Sequence, residues 1–315
     1  MDLLRVSATS HGINYLPEYY AAATGAFARR GVRVAPEARD PWTGTLDDLA
    51  AGAADVVLGG IWVPAMFAGA GRDLVAVGQL NARFPMVIMT REPVPDFTWS
   101  WLIGRTVLAP GAGGTAPYEF TAGVMREHGV DPGDVRFVRD LSGELLRELY
   151  EHGLGDAMIA DPLTAASLRL NGSGYPSCHL AEAGGPMPNS VYYVERARLD
   201  ELRERLVALV GGVSEGMLAL SGGADPAAVI DAQWPRGVKP ALMAAAAALA
   251  GDGTWSGVRI DPGALERWVS ILHDRGLMVA RTSYEDLVDA SIADDAVRQA
   301  LGAAGVAGGV GEDGS

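Results

Sequence analysis

YYAAATGAFARRGVRV, residues 19–34, sets the reading of the whole chain. Tyr19, Tyr20, Ala23 and Phe27 recur at helical spacing, Gly31 is placed to end the helix, and Val32 and Val34 open the alternation of a strand. The same hand-over recurs on both sides. Segment 3–9 reads as a strand before a helix over 15–30, and 32–38 as the next strand. A helix at 45–52, a strand at 54–60, a helix near 62–70 and a strand at 73–80 follow. Strands alternating with helices imply parallel pairing with right-handed crossovers.

Segment 84–92 is another apolar strand, closed by the proline-broken loop PVPDFTWSW, after which the theme restarts. Strands are expected at 105–111, 134–140 and 156–161, helices at 115–129, 143–153 and 162–170, and a returning strand at 189–195. From 196 onward the pattern is nearly all helical. The expected division is a discontinuous first lobe, 1–84 plus 190–300, with a second lobe, 92–186, inserted in it. The low-complexity tail 302–315 is expected to be disordered.

Composition narrows the function. Hydrophobic residues make up 49% of the 315, enough for full cores. A net charge of −14 disfavours nucleic acid and anionic membranes. No run reaches the roughly 18 uninterrupted apolar residues of a membrane span. Cys178 is the only cysteine and Lys239 the only lysine, so no intramolecular disulfide or cysteine zinc cluster forms, and covalent pyridoxal phosphate has one conceivable anchor. No cofactor and no metal site are expected. MDLLRVSATS carries no basic segment, apolar core or lipobox cysteine, which gives a cytoplasmic expectation; a trimmed sequence is the alternative and would place the protein in the periplasm or outside the cell.

LPEYYAAATGAFARRGVRV (16–34) resembles the first helix and second strand of type II periplasmic binding proteins, in the group serving sulfonates, taurine, nitrate and thiamine-pyrimidine precursors. TGTLDDLAAGAADVVLGG, VPAMFAGAGRDLVAVGQ, LIGRTVLAPGAGGTAPYEFTAGVMREHGVDPGDVRFV and LYEHGLGDAMIADPLTA match further family segments in the same order. The resemblance covers about 1–195. It implies an α/β fold of two lobes with parallel-rich sheets flanked by helices, a helical C-terminal section, and a small ligand held between the lobes. An ABC permease is the implied partner if the chain is exported. The pyrimidine synthases on this fold use a cofactor lysine and an active-site histidine in the first helical segment, where this chain has Asn14, Tyr15 and Pro17. The aryl-sulfinate desulfinases use an early cysteine, and none precedes Cys178. Neither chemistry transfers.

In open parallel sheets ligands sit outside the carboxyl ends of the strands. That rule selects Ser10, His11, Asn14 and Tyr15 after the first strand, and Trp42, Thr43 and Gly44 after the second. It adds Gly60 and Trp62 after the third, and Gly113, Gly114 and Thr115 opening the second lobe. The glycine-rich turn at 110–115 offers N–H groups at a helix start to an anion; the alternative is an ordinary strand–helix turn capped by Gly114 or Thr115. Trp42 and Trp62 read as walls for a planar ligand or as core packing. His11, Asp161 and Arg83 are the candidate catalytic groups, against a solvated or capping His11 and a helix-capping Asp161. Adjacent residues of a strand face opposite ways, so Cys178 and His179 are not expected to form a nucleophile pair.

The first reading is therefore binding of a small anionic or planar aromatic solute without catalysis. The alternatives are a cytoplasmic decarboxylase, lyase or hydrolase acting on a small aromatic, carboxylate or sulfonate substrate, and a ligand sensor for another protein. Whether the chain is an enzyme, which ligand it takes and its oligomeric state stay open at this level.

Overall fold

A computed structural model describes residues 1–111 and 114–308. Ten strands fall into two five-stranded sheets. The first combines β1 (Asp2–Ala8), β2 (Val32–Ala38), β3 (Val56–Gly60), β4 (Leu74–Arg83) and β10 (Pro186–Glu195) in the order β2-β1-β3-β10-β4. The second combines β5 (Val87–Thr90), β6 (Thr106–Leu108), β7 (Arg136–Val138), β8 (Ala157–Ala160) and β9 (Tyr175–His179) in the order β7-β6-β8-β5-β9. β2, β1 and β3 pair in parallel, as do β7, β6 and β8. β10 runs antiparallel to both β3 and β4, and β5 antiparallel to both β8 and β9. Each sheet thus has four strands in one direction and one, contributed by a chain crossing, against them.

The helices are α1 (Leu16–Ala23), α2 (Ala26–Arg29), α3 (Gly44–Ala50), α4 (Trp62–Phe67), α5 (Ala116–Glu127), α6 (Gly143–Glu151), α7 (Pro162–Leu170) and α8 (Leu180–Ala183), followed by the C-terminal section. That section holds α9 (Leu199–Ser221), α10 (Ala227–Gln233), α11 (Lys239–Gly251), α12 (Pro262–Asp274), α13 (Tyr284–Leu287) and α14 (Ala290–Gly308). Of the tail 302–315, residues 309–315 lie outside the described residues.

The helix expected over 15–30 is three pieces, a 3-10 turn at Ile13–Tyr15, then α1 and α2. Gly25 takes φ +76 between them, a conformation open to glycine at little cost, and turns the chain so that Phe27 enters the core. There Phe27 meets α9 at Gly212, where a Cβ would come within 2.3 Å of the Phe27 ring. The structure also adds β9, a strand between α7 and α8 for which the sequence pattern sets no bounds. Its Tyr175, Pro176 and Ser177 give no hydrophobic alternation, and it exists because β5 offers an edge to pair with.

Alternation divides the core as strand geometry requires. Tyr192 and Val194 of β10 join the cluster under α1, α9 and α11, while Val191 and Tyr193 face the other way. That second cluster runs on into the other sheet through Ile88, Val107 and Ile159, with Phe120 of α5 and Trp268 of α12 inside it. Met158 and Ala160, on the opposite face of β8, pack against α6 and α7. The two lobes therefore share one apolar cluster. No described helix is long and apolar enough to cross a membrane.

Candidate functional site

The carboxyl ends of β1, β2 and β3 and those of β6, β7 and β8 are where the two lobes present their loops. Two glycines show how closely they meet. A Cβ on Gly60, the last residue of β3, would come within 2.2 Å of the Trp62 ring, so the indole lies folded on the bare backbone. A Cβ on Gly114, ahead of α5, would stand 3.8 Å from Trp62 Nε1. One indole, carried by the first turn of α4, thus lies on the backbone of one lobe and beside that of the other. Trp42 is also half-buried on the same cluster, in the loop before α3. Thr43 is the exposed N-cap of α3 with no side-chain bond, Thr45 Oγ1 donates to Trp42 O at 2.8 Å, and Gly44 packs over the aliphatic part of Arg39.

At the helix start in the second lobe, Gly114 takes φ +120 and its N–H donates to Gly111 O at 2.9 Å, so that donor is spent inside the turn. Thr115 is the N-cap of α5 without a side-chain bond. Ala112 and Gly113 lie outside the described residues. Arg139 stands at the end of β7 with its guanidinium 4.2 Å from the Tyr118 ring, in the first turn of α5. It is exposed and has no carboxylate within salt-bridge distance among the described residues. The sequence reading passed over Arg139, although it follows a strand end exactly as the selected loops do.

Between these walls lies a buried polar floor. With its amide turned to suit its neighbours, Asn81 donates to Asn14 O at 3.0 Å and accepts from Asn14 Nδ2 at 3.0 Å and from Ser190 Oγ at 3.2 Å. Trp255 Nε1 also donates to Asn14 O, at 3.1 Å. The Tyr15 and Thr9 hydroxyls share a bond of 3.1 Å, and burial holds the Tyr15 phenol above its ordinary pKa. Ser10 is exposed on the same loop. Asn81 lies near the end of β4 and Ser190 in β10, so the network sits where the chain passes between lobes.

The three candidate catalytic groups are each committed elsewhere. Exposed His11 is bonded through Nε2 to Gln233 Oε1 at 3.1 Å, and its ring lies 4.8 Å from Trp234 and 5.1 Å from Tyr19. Asp161 caps α7, accepting from the N–H groups of Leu163 and Thr164 at 2.9 and 3.0 Å. Arg83 donates to Ala181 O at 2.8 Å. Cys178 is buried with its thiol pushed up to about 12, first by desolvation and then by Glu182, whereas its strand neighbour His179 is half-exposed. Among the described residues no three histidine, cysteine or carboxylate side chains gather as a metal-binding group.

The sheet orders and the two antiparallel crossings define a two-lobed α/β fold. A family model described as NMT1/THI5 like matches residues 12–223. The chain belongs to this family. No curated protein matches it by sequence. Among solved structures it is similar to the periplasmic aliphatic sulphonate binding protein SsuA from Escherichia coli, at 17% identity and a TM-score of 0.72 over 91% of each chain. It is similar to the ligand-binding component of an ABC-type import system from Staphylococcus aureus, at 12% identity and a TM-score of 0.71, over 94% of this chain and 99% of that one. It also resembles the desulfurization enzyme DSZB, at 16% identity and a TM-score of 0.64, over 95% of this chain and all of that one. At these identities the likeness establishes the two-lobed α/β fold that this NMT1/THI5-like chain shares with binders and a catalyst alike.

Proposed function

We propose that this NMT1/THI5-like chain binds a small planar or anionic organic molecule between its lobes without transforming it. The observation that carries the reading is Trp62, whose indole rests on Gly60 of one lobe and reaches Gly114 of the other. A planar ligand stacking there contacts both lobes at once, and Trp42 extends the apolar wall. Arg139 and the start of α5 supply positive potential on the second lobe's side for an acidic substituent. Against catalysis stands the engagement of His11, Asp161 and Arg83 in structural bonds. The permease partner follows from the likeness to an import component alone.

The test has two parts. Native mass spectrometry of the purified protein should show a co-purified molecule that Trp62→Ala loses. Calorimetry with benzenesulfonate and methanesulfonate as probes should favour the aromatic anion in the wild type. Stacking contributes about 1 kcal/mol, so Trp62→Ala should weaken benzenesulfonate roughly fivefold to tenfold and leave methanesulfonate little changed. Absence of a co-purified molecule together with no binding of either probe, or equal affinity in Trp62→Ala, rejects the site.

A further inference from the structure

At the β5–β9 end of the second sheet, away from Trp62 and Gly114, a cavity of about 250 Å³ opens between α7 and α11. Arg169, Ala244 and Ala248 on its lining are exposed, so the space is a groove open to solvent on one side. Ala165 and Ala166 of α7 and Ala244, Ala245 and Ala248 of α11 line it, side chains too short to fill the space. Met86, Val87 and Pro176 close the floor.

The polar groups stand at two poles. Arg169 lines the cavity from the last turn of α7, two turns from Pro162, or roughly 10 Å along the axis. It is exposed and has no carboxylate partner among the described residues. At the other pole Asp252 caps the carboxyl end of α11, where the helix dipole adds negative potential. Its Oδ1 accepts the Thr254 N–H at 2.8 Å, and the basic side chains near it are His179, which also lines the cavity, and Arg83, whose guanidinium is bonded to Ala181 O. Burial raises the Asp252 carboxyl above its ordinary pKa despite the Thr254 bond and both basic neighbours.

We propose that this cavity is a second small-molecule site, taking an elongated apolar molecule with an acid at one end and an amine at the other. The acid pairs with Arg169, the amine with Asp252, and the apolar body lies against the alanines. An occupant touches α7, β5 and β9 on one side and α11 on the other, so it joins the second lobe to the C-terminal section. The site shares no residue with the Trp62 seam and does not depend on the function proposed for it.

Calorimetric titration with 4-(aminomethyl)benzoate tests the assignment, with benzoate and benzylamine as single-ended controls. The two-ended probe should bind about tenfold more tightly than either control, the gain of one further bond to a charged group. Arg169→Gln should lower its affinity to that of benzylamine, and Asp252→Asn, which keeps the acceptor for Thr254, to that of benzoate. Ala248→Phe fills the cavity from its exposed rim and should abolish binding, with Ala244→Leu as the second filling variant should the first fail to fold. Trp62→Ala should change nothing. No saturable binding of the two-ended probe, equal affinity for all three compounds, binding that survives filling, or binding lost in Trp62→Ala would each overturn the proposal.

Discussion

At the residue scale, Gly60 and Glu18 carry the most consequence. Gly60 has an ordinary backbone conformation, so Gly60→Ala acts only through the Trp62 ring its methyl would strike. The expected outcome is a displaced indole, seen as a shift in tryptophan fluorescence, with ligand affinity falling to that of Trp62→Ala. Unchanged fluorescence would mean that the ring does not rest where the geometry puts it. Glu18 is 1% exposed in α1, with one oxygen accepting from Tyr192 Oη at 3.1 Å and the other, Oε2, unpartnered. Desolvation pushes its carboxyl up to about 7. Between about pH 4.5 and 7 the unfolded chain releases a proton that the folded chain keeps. Stability is therefore greatest below the unfolded pKa, declines as pH rises through that window, and levels off above the folded value. The loss is about 3 kcal/mol at most. Unfolding free energies from urea titrations at pH 5 and pH 8 should differ by about 2–3 kcal/mol more in the wild type than in Glu18→Gln.

At the element scale, two helices have contacts that a single atom disturbs. A Cβ on Gly216 of α9 would lie 2.3 Å from Pro17 O, a backbone atom at the start of α1. Gly216→Ala should therefore cost about 1–3 kcal/mol through overpacking, although alanine is the better helix former. A stabilised variant in chemical denaturation would show that α1 and α9 are free to separate. Asp161 is the cap of α7, and Asp161→Ala should cost about 0.5–2 kcal/mol, largely restored by Asp161→Asn. A catalytic Asp161 would instead lose turnover in the asparagine variant with stability intact.

At the scale of the whole molecule, the C-terminal section ties the lobes together. Arg267 of α12 holds Glu127 of α5 through two bonds of 2.7 and 2.5 Å, and Arg275 pairs with Glu119 at 2.9 Å. Trp268, 1% exposed, sits in the cluster that spans both sheets. Calorimetry should accordingly show one unfolding transition for both lobes. Trp268→Ala should lower stability by about 3–5 kcal/mol and enlarge the scattering radius as the joint loosens. Two separate transitions in the wild type would mean that the shared cluster does not couple the lobes.

The strand–helix rhythm is legible because apolar spacing is a local property: Thr106–Leu108 and Ala116–Glu127, like Ala157–Ala160 and Pro162–Leu170, form the strand and helix their periodicity dictates. The strand-end rule picks out the loops of Trp62 and Gly114, and the structure sets these two positions beside each other because topology gathers strand ends whatever their composition. What the chain could not disclose alone was every relation set by a distant partner. Gly25 breaks a helix whose spacing looked continuous, with Phe27 then packing beside Gly212 far along the chain. β9 forms on an edge supplied by β5, and His11 and Asp161 are claimed by Gln233 and by the α7 amides. The α7–α11 cavity needs both alanine faces opposed, which no one-dimensional pattern encodes. Local propensity decided which elements form, whereas which side chains remain free for a ligand was decided only when tertiary packing had satisfied the rest.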